Sequence, residues 1–566
     1  MKLLLFLLVT LPSFAQLTRD QKASDFRDLA AIYAKRYAPY EWKMLLFGFD
    51  VLDMGPWTDR VANSADDLDF YEVMVDYVSR LKDSHDAYFL PSTFSASLGF
   101  SVDIYDGKVL IDSISRTQLP VGAFAFQVGD ELLSVDGRSV EDLIQEFGKY
   151  YRQANAMSGR RRAASLIVSR PQNRMPHAIS LSAAAAISVK RQSGAVESYT
   201  IPWVKFGVPL TQVGPVPSPT SVRLETVSLE AEKQVDGRPD FMPDLAGLEK
   251  SAQNTDGGVL GYGAMNPIFN PPAGFKQRLG TKLGDSFVSG TFSAGGYNIG
   301  LIRIPDYEPS SFTAALAQFE AEIAYFQDNT DGLIVDQMRN PGGDLCYGEN
   351  IIARLTPNTF RPLGYEIRPT WDYIVTFASR LQAAQVLKAP QAIIDQYQAL
   401  LNSLQSAYAA NRGRTEAIPL CGPSFERDPA KDSKGNVIAY SKPLIMLIDE
   451  FSASTADSVP AMLQDNKRGL LVGFRTNGAG GSNSHGIQRF QAGAYSEGDT
   501  GVTLSLMVRR DPATVADYPA SRYIENVGVQ PDVTIDYMTK ENLLNGGRTY
   551  LSAVVDQMIK TIQTGQ

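Results

Sequence analysis

Histidine and cysteine are scarce in this sequence, which has three histidines and two cysteines among 566 residues. It has no HExxH motif, no CxxC pair and no histidine cluster, so none of the ligand spacings typical of zinc sites occurs. We therefore expect no metal and no other cofactor. The cysteines, Cys346 and Cys421, are too few for a scaffold built on disulfides, and whether they pair stays open.

Long apolar runs and an excess of positive charge are also missing. Beyond the N-terminus no stretch of about 18 apolar residues occurs, which argues against an integral membrane span. Lys and Arg number 53 against 62 Asp and Glu, for a formal net charge of −9. Without a basic stripe and interleaved aromatic residues, nucleic acid is not an expected partner. The 44% hydrophobic and 20% charged residues are typical of a globular protein of several domains.

The N-terminus, "MKLLLFLLVTLPSFAQ", has the pattern of a secretory signal peptide. Lys2 precedes a short apolar run, and small residues lead to a cleavage point after Ala15. We expect residues 1–15 to be removed on export. The mature protein would then be periplasmic or extracellular.

The hydrophobic pattern changes along the chain and predicts several parts. Residues 16–95 are predicted to be helical, since apolar residues in "DLDFYEVMVDYVSRL" recur at helical spacing. Residues 96–205 contain short strands and turn signals, as in "VGDELLSVDGRSVEDL", and predict a small β-rich domain. Residues 206–290 are rich in Pro, Gly and Ser and predict a linker or inserted segment. In 291–566 buried strands alternate with helices, which predicts an α/β layer fold with a helical insertion at 356–435.

Three serines follow a buried strand in "KPLIMLIDEFSASTADSVPAM": Ser452, Ser454 and Ser458. Where a strand turns sharply into a helix, the first helical N–H groups are unpaired and carry partial positive charge. A serine nucleophile at this point gains an oxyanion donor from the N–H of the next residue. The motif alone favours the simpler interpretation that these serines cap the helix.

A second motif, "DQMRNPGGD", ends another buried strand at Gly342 and Gly343. Two glycines leave the backbone uncovered, so that its N–H groups can approach a ligand and supply a second oxyanion donor. A tight turn without function is the alternative.

A general base would have to be one of three histidines. His85 follows a predicted helix in "KDSHDAYF", His177 lies in the β-rich domain, and His485 lies in a loop rich in Gly and Ser. A lone histidine is more often structural than catalytic, but the members of a triad need to be close only in space.

Taken together, these motifs resemble the S41 serine peptidases, which include the C-terminal processing and tricorn proteases. "FSASTADSVPAMLQDNKRGLLVGFRTNGAGG" resembles the nucleophile region of that family, and "GLIVDQMRNPGG" its oxyanion turn. "VGDELLSVDGRSV" resembles the family's PDZ domain, and "YIENVGVQPDV" the stretch that closes its catalytic domain. The resemblance implies a ClpP/crotonase-like α/β core, with an N-terminal helical region and an inserted PDZ-like β-rich domain.

One turn selects the branch of the family. C-terminal processing proteases place the lysine of a Ser/Lys dyad in a Gly-Lys-Gly turn, and here the turn is Gly478-Ala479-Gly480. The resemblance is therefore to the tricorn-like branch, and it implies Ser454 as nucleophile, His85 as base and Glu525 as its acidic partner. Segments such as "RYAPYEWKMLLFGFD" and "YNIGLIRIPDY" also resemble one peptidase of that branch, in the same order.

The resemblance implies an exported serine endopeptidase that acts on a polypeptide substrate. Backbone N–H groups of Thr455 and of Gly342 or Gly343 would hold the oxyanion, and Ser84 would help to hold Glu525 or His85. From its position and its Pro and Gly content, the segment 206–290 is predicted to be a linker or an inhibitory segment. A non-hydrolytic ligand- or peptide-binding protein on the same fold is the alternative function. The sequence leaves open monomer or homodimer, and whether the PDZ-like domain binds C-termini.

Overall fold

In the computed structural model of the protein, the described residues are 16–151, 153–211, 261–482 and 490–565. The expected signal peptide, His485 and most of the 206–290 segment, including any inhibitory part within 212–260, lie outside these ranges. None of the described helices is both long enough and apolar enough to cross a membrane.

The N-terminal region is helical, as predicted. Its helices are α1 (Arg19–Arg36), α2 (Tyr40–Phe47), α3 (Gly55–Ala62) and α4 (Asp67–Ser79). The carboxylate of Asp66 starts α4 by accepting the Asp69 N–H at 2.8 Å. The apolar residues that predicted this helix, Phe70, Met74 and Tyr77 among them, are fully buried. The chain leaves α4 in a loop that carries His85 and then enters strand β1 (Tyr88–Phe89).

A β-rich domain follows. Its strands are β2 (Ser95–Ser97), β3 (Phe100–Tyr105), β4 (Lys108–Ile114), β5 (Glu131–Val135), β6 (Arg138–Ser139), β7 (Ser169–Pro171), β8 (Ala184–Lys190), β9 (Val196–Pro202) and β10 (Val204–Phe206). Helices α5 (Val140–Phe147) and α6 (Ala156–Ser165) lie between β6 and β7. The main sheet has the antiparallel order β3-β4-β5-β8-β9. Asp136 and Gly137 both have positive φ, which the tight turn between β5 and β6 requires.

The larger α/β unit is built on a six-stranded sheet of order β11-β12-β13-β14-β16-β17. These strands are β11 (Lys276–Leu279), β12 (Val288–Ala294), β13 (Tyr297–Arg303), β14 (Gly332–Asp336), β16 (Leu444–Ile448) and β17 (Leu470–Gly473). β11 and the start of β12 lie inside the segment expected to be a linker. They pair with the edge of the sheet, so residues 276–290 are part of the α/β unit.

Helices flank this sheet and complete the unit. They are α7 (Phe312–Asn329), α8 (Leu345–Leu355), α9 (Trp371–Val386), α10 (Gln391–Ala409), α11 (Thr455–Asp465), α12 (Lys540–Asn545) and α13 (Arg548–Thr564). The remaining strands are β15 (Gly364–Ile367), β18 (Phe490–Gln491), β19 (Asp499–Thr500), β20 (Ser505–Val515) and β21 (Tyr518–Tyr523). The α9–α10 pair and β15 lie in the insertion predicted at 356–435. A disulfide joins Cys346 to Cys421, whose Cα atoms are 5.2 Å apart.

Two fully buried parallel strands, β14 and β16, position the site. Both are apolar throughout because helices cover the two faces of the sheet. They pair side by side up to Asp336 and Leu447. Their carboxyl ends therefore meet at one edge, and the glycine turn after β14 comes to lie beside the serine turn after β16. The predicted α/β fold class is confirmed.

Candidate active site

Ser454 occupies a strained turn directly before α11. Its φ is +57° and its ψ is −115°, a conformation that residues other than glycine rarely adopt. Its N–H donates to Asp457 Oδ2 at 2.9 Å, and its carbonyl accepts the N–H groups of Asp457 and Ser458 at 2.8 and 3.0 Å. These bonds hold the serine at the N-terminal end of the helix, where strained nucleophile turns occur.

The two neighbouring serines have structural partners. Ser452 Oγ donates to the carbonyl of Gln337 at 3.1 Å, and the residue is completely buried. Ser458 Oγ donates to the carbonyl of Thr455 at 2.9 Å, inside the first turn of α11. The hydroxyl groups of Ser452 and Ser458 are thus engaged in local structure.

The glycine turn after β14 packs directly against Ser454. A Cβ atom on Gly342 would lie 2.6 Å from the carbonyl oxygen of Ala453 and 2.7 Å from Ser454 Cβ. Such contacts leave no space for a side chain, so this position needs glycine. The same Cβ would be 3.0 Å from the N atom of Thr455. The turn and the first N–H group of α11 therefore border one small space.

The hydrogen bonds of the turn separate its two glycines. The Gly342 N–H donates to Asn340 Oδ1 at 2.8 Å and is already engaged. Gly343 and Tyr307 face each other in an isolated parallel β-bridge. In this bridge the Gly342 carbonyl accepts the Tyr307 N–H at 2.7 Å, and the Asp344 N–H donates to the Tyr307 carbonyl at 3.0 Å. This bridge does not use the Gly343 N–H. The geometry therefore favours Gly343 over Gly342 as the partner of Thr455 in an oxyanion site.

His85 and Glu525, which are remote in sequence, come together in the interior. An imidazole nitrogen of His85 and carboxylate oxygens of Asp83 and Glu525 all lie within 4.8 Å of one another. The backbone N–H of His85 donates to Asp83 Oδ1 at 2.9 Å, and this bond fixes the loop after α4. Burial lowers the pKa of His85 to about 4, against the opposing charge of Asp83. The imidazole is therefore neutral at neutral pH and able to accept a proton.

Glu525 is completely buried and held by both carboxylate oxygens. Oε2 accepts the Gly480 N–H at 2.8 Å, and Oε1 pairs with the ammonium group of Lys43. Burial and then the charge of Asp83 raise the pKa of Glu525, and Lys43 opposes both. Sequence reasoning missed Lys43, because one lysine in a helix carries no signal of a buried partner.

The turn that lacks the dyad lysine connects the two halves of the site. Asp457 Oδ1 accepts the Gly478 N–H at 2.9 Å, and Asp457 Oδ2 accepts the Ala479 N–H at 3.0 Å. The next residue, Gly480, donates to Glu525. A Cβ on Gly480 would lie 2.0 Å from the backbone N of Glu525, so only glycine fits. These bonds set the spacing between α11 and Glu525.

The other predicted candidates lie apart from this cluster. Ser84 Oγ donates to Asn477 Oδ1 and accepts the Ala154 N–H at 2.9 Å, so its hydrogen bonds join it to a loop rather than to His85 or Glu525. His177 pairs with Asp69 at 2.9 Å, and both side chains are well exposed. The structure thus shows two groups, Ser454 with the glycine turn and His85 with Glu525. The 478–480 turn connects them through its bonds to Asp457 and Glu525.

Comparison with sequence models of protein families gives two matches. Residues 298–535 match peptidase family S41, and residues 94–207 match a PDZ domain. The first range contains Ser454, the glycine turn and Glu525. The second coincides with the β-rich domain.

Relatives cover almost the whole chain. A protein of Chlamydia trachomatis serovar D is 25% identical over 586 residues, which is 94% of this chain and 91% of the relative. A protein of Chlamydia pneumoniae is 24% identical over 604 residues, which is 95% of this chain and 90% of the relative. A chloroplastic C-terminal processing peptidase of Tetradesmus obliquus is 34% identical, but over 102 residues, which is 18% of this chain and 19% of that peptidase.

The fold is that of a solved peptidase. The structure of mature CPAF, the chlamydial protease-like activity factor, in complex with lactacystin superposes with a TM-score of 0.73 and 21% identity. The superposition covers 96% of this chain and 99% of the CPAF chain. The architecture is therefore shared from the N-terminal helices to the C-terminal helix. With residues 298–535 matching peptidase family S41 and a PDZ domain ahead of them, the chain carries a serine peptidase domain.

Proposed function

We propose that the protein is an exported endopeptidase that cleaves polypeptides through Ser454, His85 and Glu525. The observation that carries this proposal is the backbone of Ser454, which is held at positive φ at the start of α11 and directly against the glycine turn. Strain of this kind is retained where surrounding structure enforces it, and it is frequent at nucleophiles. A helix cap alone would not need it.

In the proposed reaction, Ser454 Oγ attacks the carbonyl carbon of a peptide bond while His85 takes the hydroxyl proton. The carbonyl oxygen receives the electron pair of the C=O double bond, and the Thr455 and Gly343 N–H groups stabilise its charge. When the intermediate collapses, the C–N bond breaks and His85 gives the proton to the leaving amine. An acyl ester on Ser454 remains.

Water completes the cycle. His85 removes a proton from a water molecule as its oxygen adds to the ester carbon. The second intermediate collapses, the bond from carbon to Ser454 Oγ breaks, and the proton returns from His85 to the serine. The new C-terminal carboxylate then leaves.

The charges around His85 suit both steps. The neutral imidazole that burial favours is the form that accepts the proton. The imidazolium formed on proton transfer is stabilised by the carboxylates of Asp83 and Glu525, which lie within 4.8 Å of the ring. In triads the acidic partner orients the imidazole and stabilises its cation without taking up the proton.

Export is supported by the signal-like pattern of residues 1–15 and by the disulfide between Cys346 and Cys421. Disulfides form and persist mainly in oxidising compartments. The N-terminal sequence of the protein recovered from a bacterial periplasm or medium tests this part of the proposal. A first residue at Gln16 would support it, and retention in the cytoplasm with Met1 intact would contradict it.

The activity is tested with the mature chain, residues 16–566, beside its Ser454→Ala variant. Both are incubated with a denatured protein, and the products are followed by intact mass. We expect internal cuts by the wild type and none by the variant. Glu525→Gln should lower the rate by about 10³- to 10⁴-fold while the fold is kept. If the wild type cuts neither the substrate nor itself, the proposal fails in favour of a non-hydrolytic binding protein.

A further inference from the structure

Lys43 is an enclosed cation next to the proposed triad. In addition to its pairing with Glu525, its ammonium group donates to Asn526 Oδ1 at 2.7 Å and to the carbonyl of Lys82 at 3.2 Å. The Lys43 side chain is 1% exposed and that of Glu525 is 0% exposed. Burying an ammonium group is costly unless it is paired and hydrogen-bonded. The burial of Lys43 is therefore explained by its bonds to Glu525, Asn526 and Lys82.

Helix α2 holds Glu525 by two adjacent residues. Lys43 binds the carboxylate, and Trp42 Nε1 donates to the backbone carbonyl of Glu525 at 2.9 Å. The Trp42 ring packs edge-on against Tyr523, with ring centroids 5.6 Å apart. The N-terminal helices thus fix both the backbone and the side chain of an acid that belongs to the peptidase domain.

The surroundings of His85 are rich in buried acidic groups. The titratable and charged groups that face it or its partners are Asp83, Asp86, Glu525, Tyr37 and Lys43. The hydroxyl of Tyr37 donates to Asp83 Oδ2 at 3.0 Å. Burial and Asp83 raise the pKa of Asp86 as they raise that of Glu525, and in both cases Lys43 acts in the opposite direction. Lys43 also lowers the pKa of His85.

We propose that Lys43 is a positioning residue of the peptidase, whose charge keeps Glu525 ionised and directed at His85. This inference rests on the proposed function. A carboxylate buried among other carboxylates takes up a proton unless a cation is close. Without Lys43, Glu525 would bind a proton more readily, and so would His85. Both changes reduce the fraction of molecules in which Glu525 is ionised and His85 is neutral, so both lower the activity.

The test is the pH profile of kcat/KM for the mature chain and its Lys43→Met variant. We expect kcat/KM near pH 7 to fall by about 10- to 100-fold, as for other groups that orient a reacting side chain. The acidic limb should move to higher pH by about 1–3 units, the usual effect of one nearby charge. The apparent pKa read from this limb belongs to the coupled cluster and not to a single residue.

Lys43→Arg separates the charge from proton transfer. Arginine keeps the positive charge but does not release its proton at any working pH. If Lys43 acts by its charge, this variant should keep the acidic limb close to that of the wild type and recover most of the activity. A folded but inactive Lys43→Arg, or a folded Lys43→Met with the wild-type profile, would overturn the proposal. If Lys43→Met does not fold, the arginine variant decides.

A matched control is Lys22→Met in the same helical region. The Lys22 side chain is 5% exposed and its ammonium group lies 3.8 Å from Asp67, away from the site. We expect this variant to lose stability but to keep the wild-type pH profile. A shift of its acidic limb equal to that of Lys43→Met would mean that general destabilisation explains both.

An activity-free measurement keeps the inference separate from the proposed function. The chain has three histidines, so the NMR signal of His85 can be assigned with one His85→Asn variant. In the Ser454→Ala background, Lys43→Met should raise the pKa of His85. This shift with an inactive wild type would support the effect of the Lys43 charge on His85, while the proposed function fails. An unchanged titration would overturn the inference whatever the activity.

Discussion

Arg161 of the PDZ domain donates to Glu450 Oε1 at 2.6 Å, across the contact with the peptidase domain. Glu450 lies in the short loop between β16 and Ser454. The same guanidinium binds both carboxylate oxygens of Asp103, at 2.8 and 2.6 Å. All three side chains are at most 4% exposed. The PDZ domain is therefore tied by buried charges to the loop that leads into Ser454.

Replacing Arg161 tests this connection. Arg161→Met would remove the cation from Glu450 and leave Asp103 with the more distant Arg339, at 3.9 Å. We therefore expect the free energy of unfolding to fall by about 3–5 kcal/mol. Urea-induced unfolding measures the loss. The neighbouring Arg160 provides the control. It forms an exposed ion pair with Glu141, in which the two side chains are 42% and 61% exposed. Arg160→Met should therefore cost about 0–1 kcal/mol. Equal losses in the two variants would contradict the role of Arg161.

Gly342→Ala should impair catalysis more than folding. The added Cβ would press on Ala453 and Ser454, and the turn would have to move away from the nucleophile. We expect kcat to fall by about 10²- to 10³-fold, the usual cost of losing an oxyanion donor. The control is Gly296→Ala, since Gly296 also has positive φ, +85°, but has no atom within 4 Å of its Cβ position. A kcat for Gly342→Ala equal to that of the control would count against the turn as an oxyanion site.

The lowered pKa of His85 predicts a pH-dependent stability. Burial holds it at about 4, below the ordinary value of 6.5 expected in the unfolded chain. Between these values the unfolded state binds the proton and the folded state does not. The contribution of His85 to stability is therefore complete above pH 6.5 and is lost as the pH falls towards 4, by at most about 1.4 kcal/mol for each pH unit. The difference in unfolding free energy between the wild type and His85→Asn isolates this contribution. A difference that does not change over this range would show that the prediction is wrong.

The disulfide should stabilise the peptidase domain near the site. Cys346 lies in the first turn of α8, directly after the glycine turn, and its partner Cys421 lies within the 356–435 insertion, after α10. We expect Cys346→Ala with Cys421→Ala to lower the free energy of unfolding by about 2–4 kcal/mol. Unfolding with and without a thiol reductant measures this effect. The reductant should destabilise the wild type and leave the double variant unchanged, and a reductant effect on the double variant would point to another cause.

Much of the local structure could be predicted from the sequence because its causes are local. Helix α4 follows from apolar residues at helical spacing, and β14 and β16 follow from short, continuous apolar runs. The turn at Asp136 and Gly137 follows from residues that tolerate positive φ. In the same way, the serine and glycine motifs could be identified as strand ends with exposed backbone donors.

The linker or inserted segment predicted at 206–290 extends too far at its C-terminal end. Pro and Gly content does not show which strand a segment will pair with. Residues 276–279 have little apolar character, yet they form β11 by pairing with β12 at the edge of the sheet. The partner of Ser84 was unpredictable for a related reason. A hydroxyl can bond to any donor or acceptor that folding brings near, and here this is Asn477.

The alternation of strands and helices, the turns that need glycine, and the position of the serine motif after a buried strand all follow from the order of residues along the chain. Tertiary structure alone decided that His85 meets Glu525, that Lys43 supplies the buried cation, and that Cys346 pairs with Cys421. The physical reason is the range of the interactions. Periodicity and turn chemistry act within a few residues, whereas an ion pair, a disulfide or a triad depends on how remote segments pack.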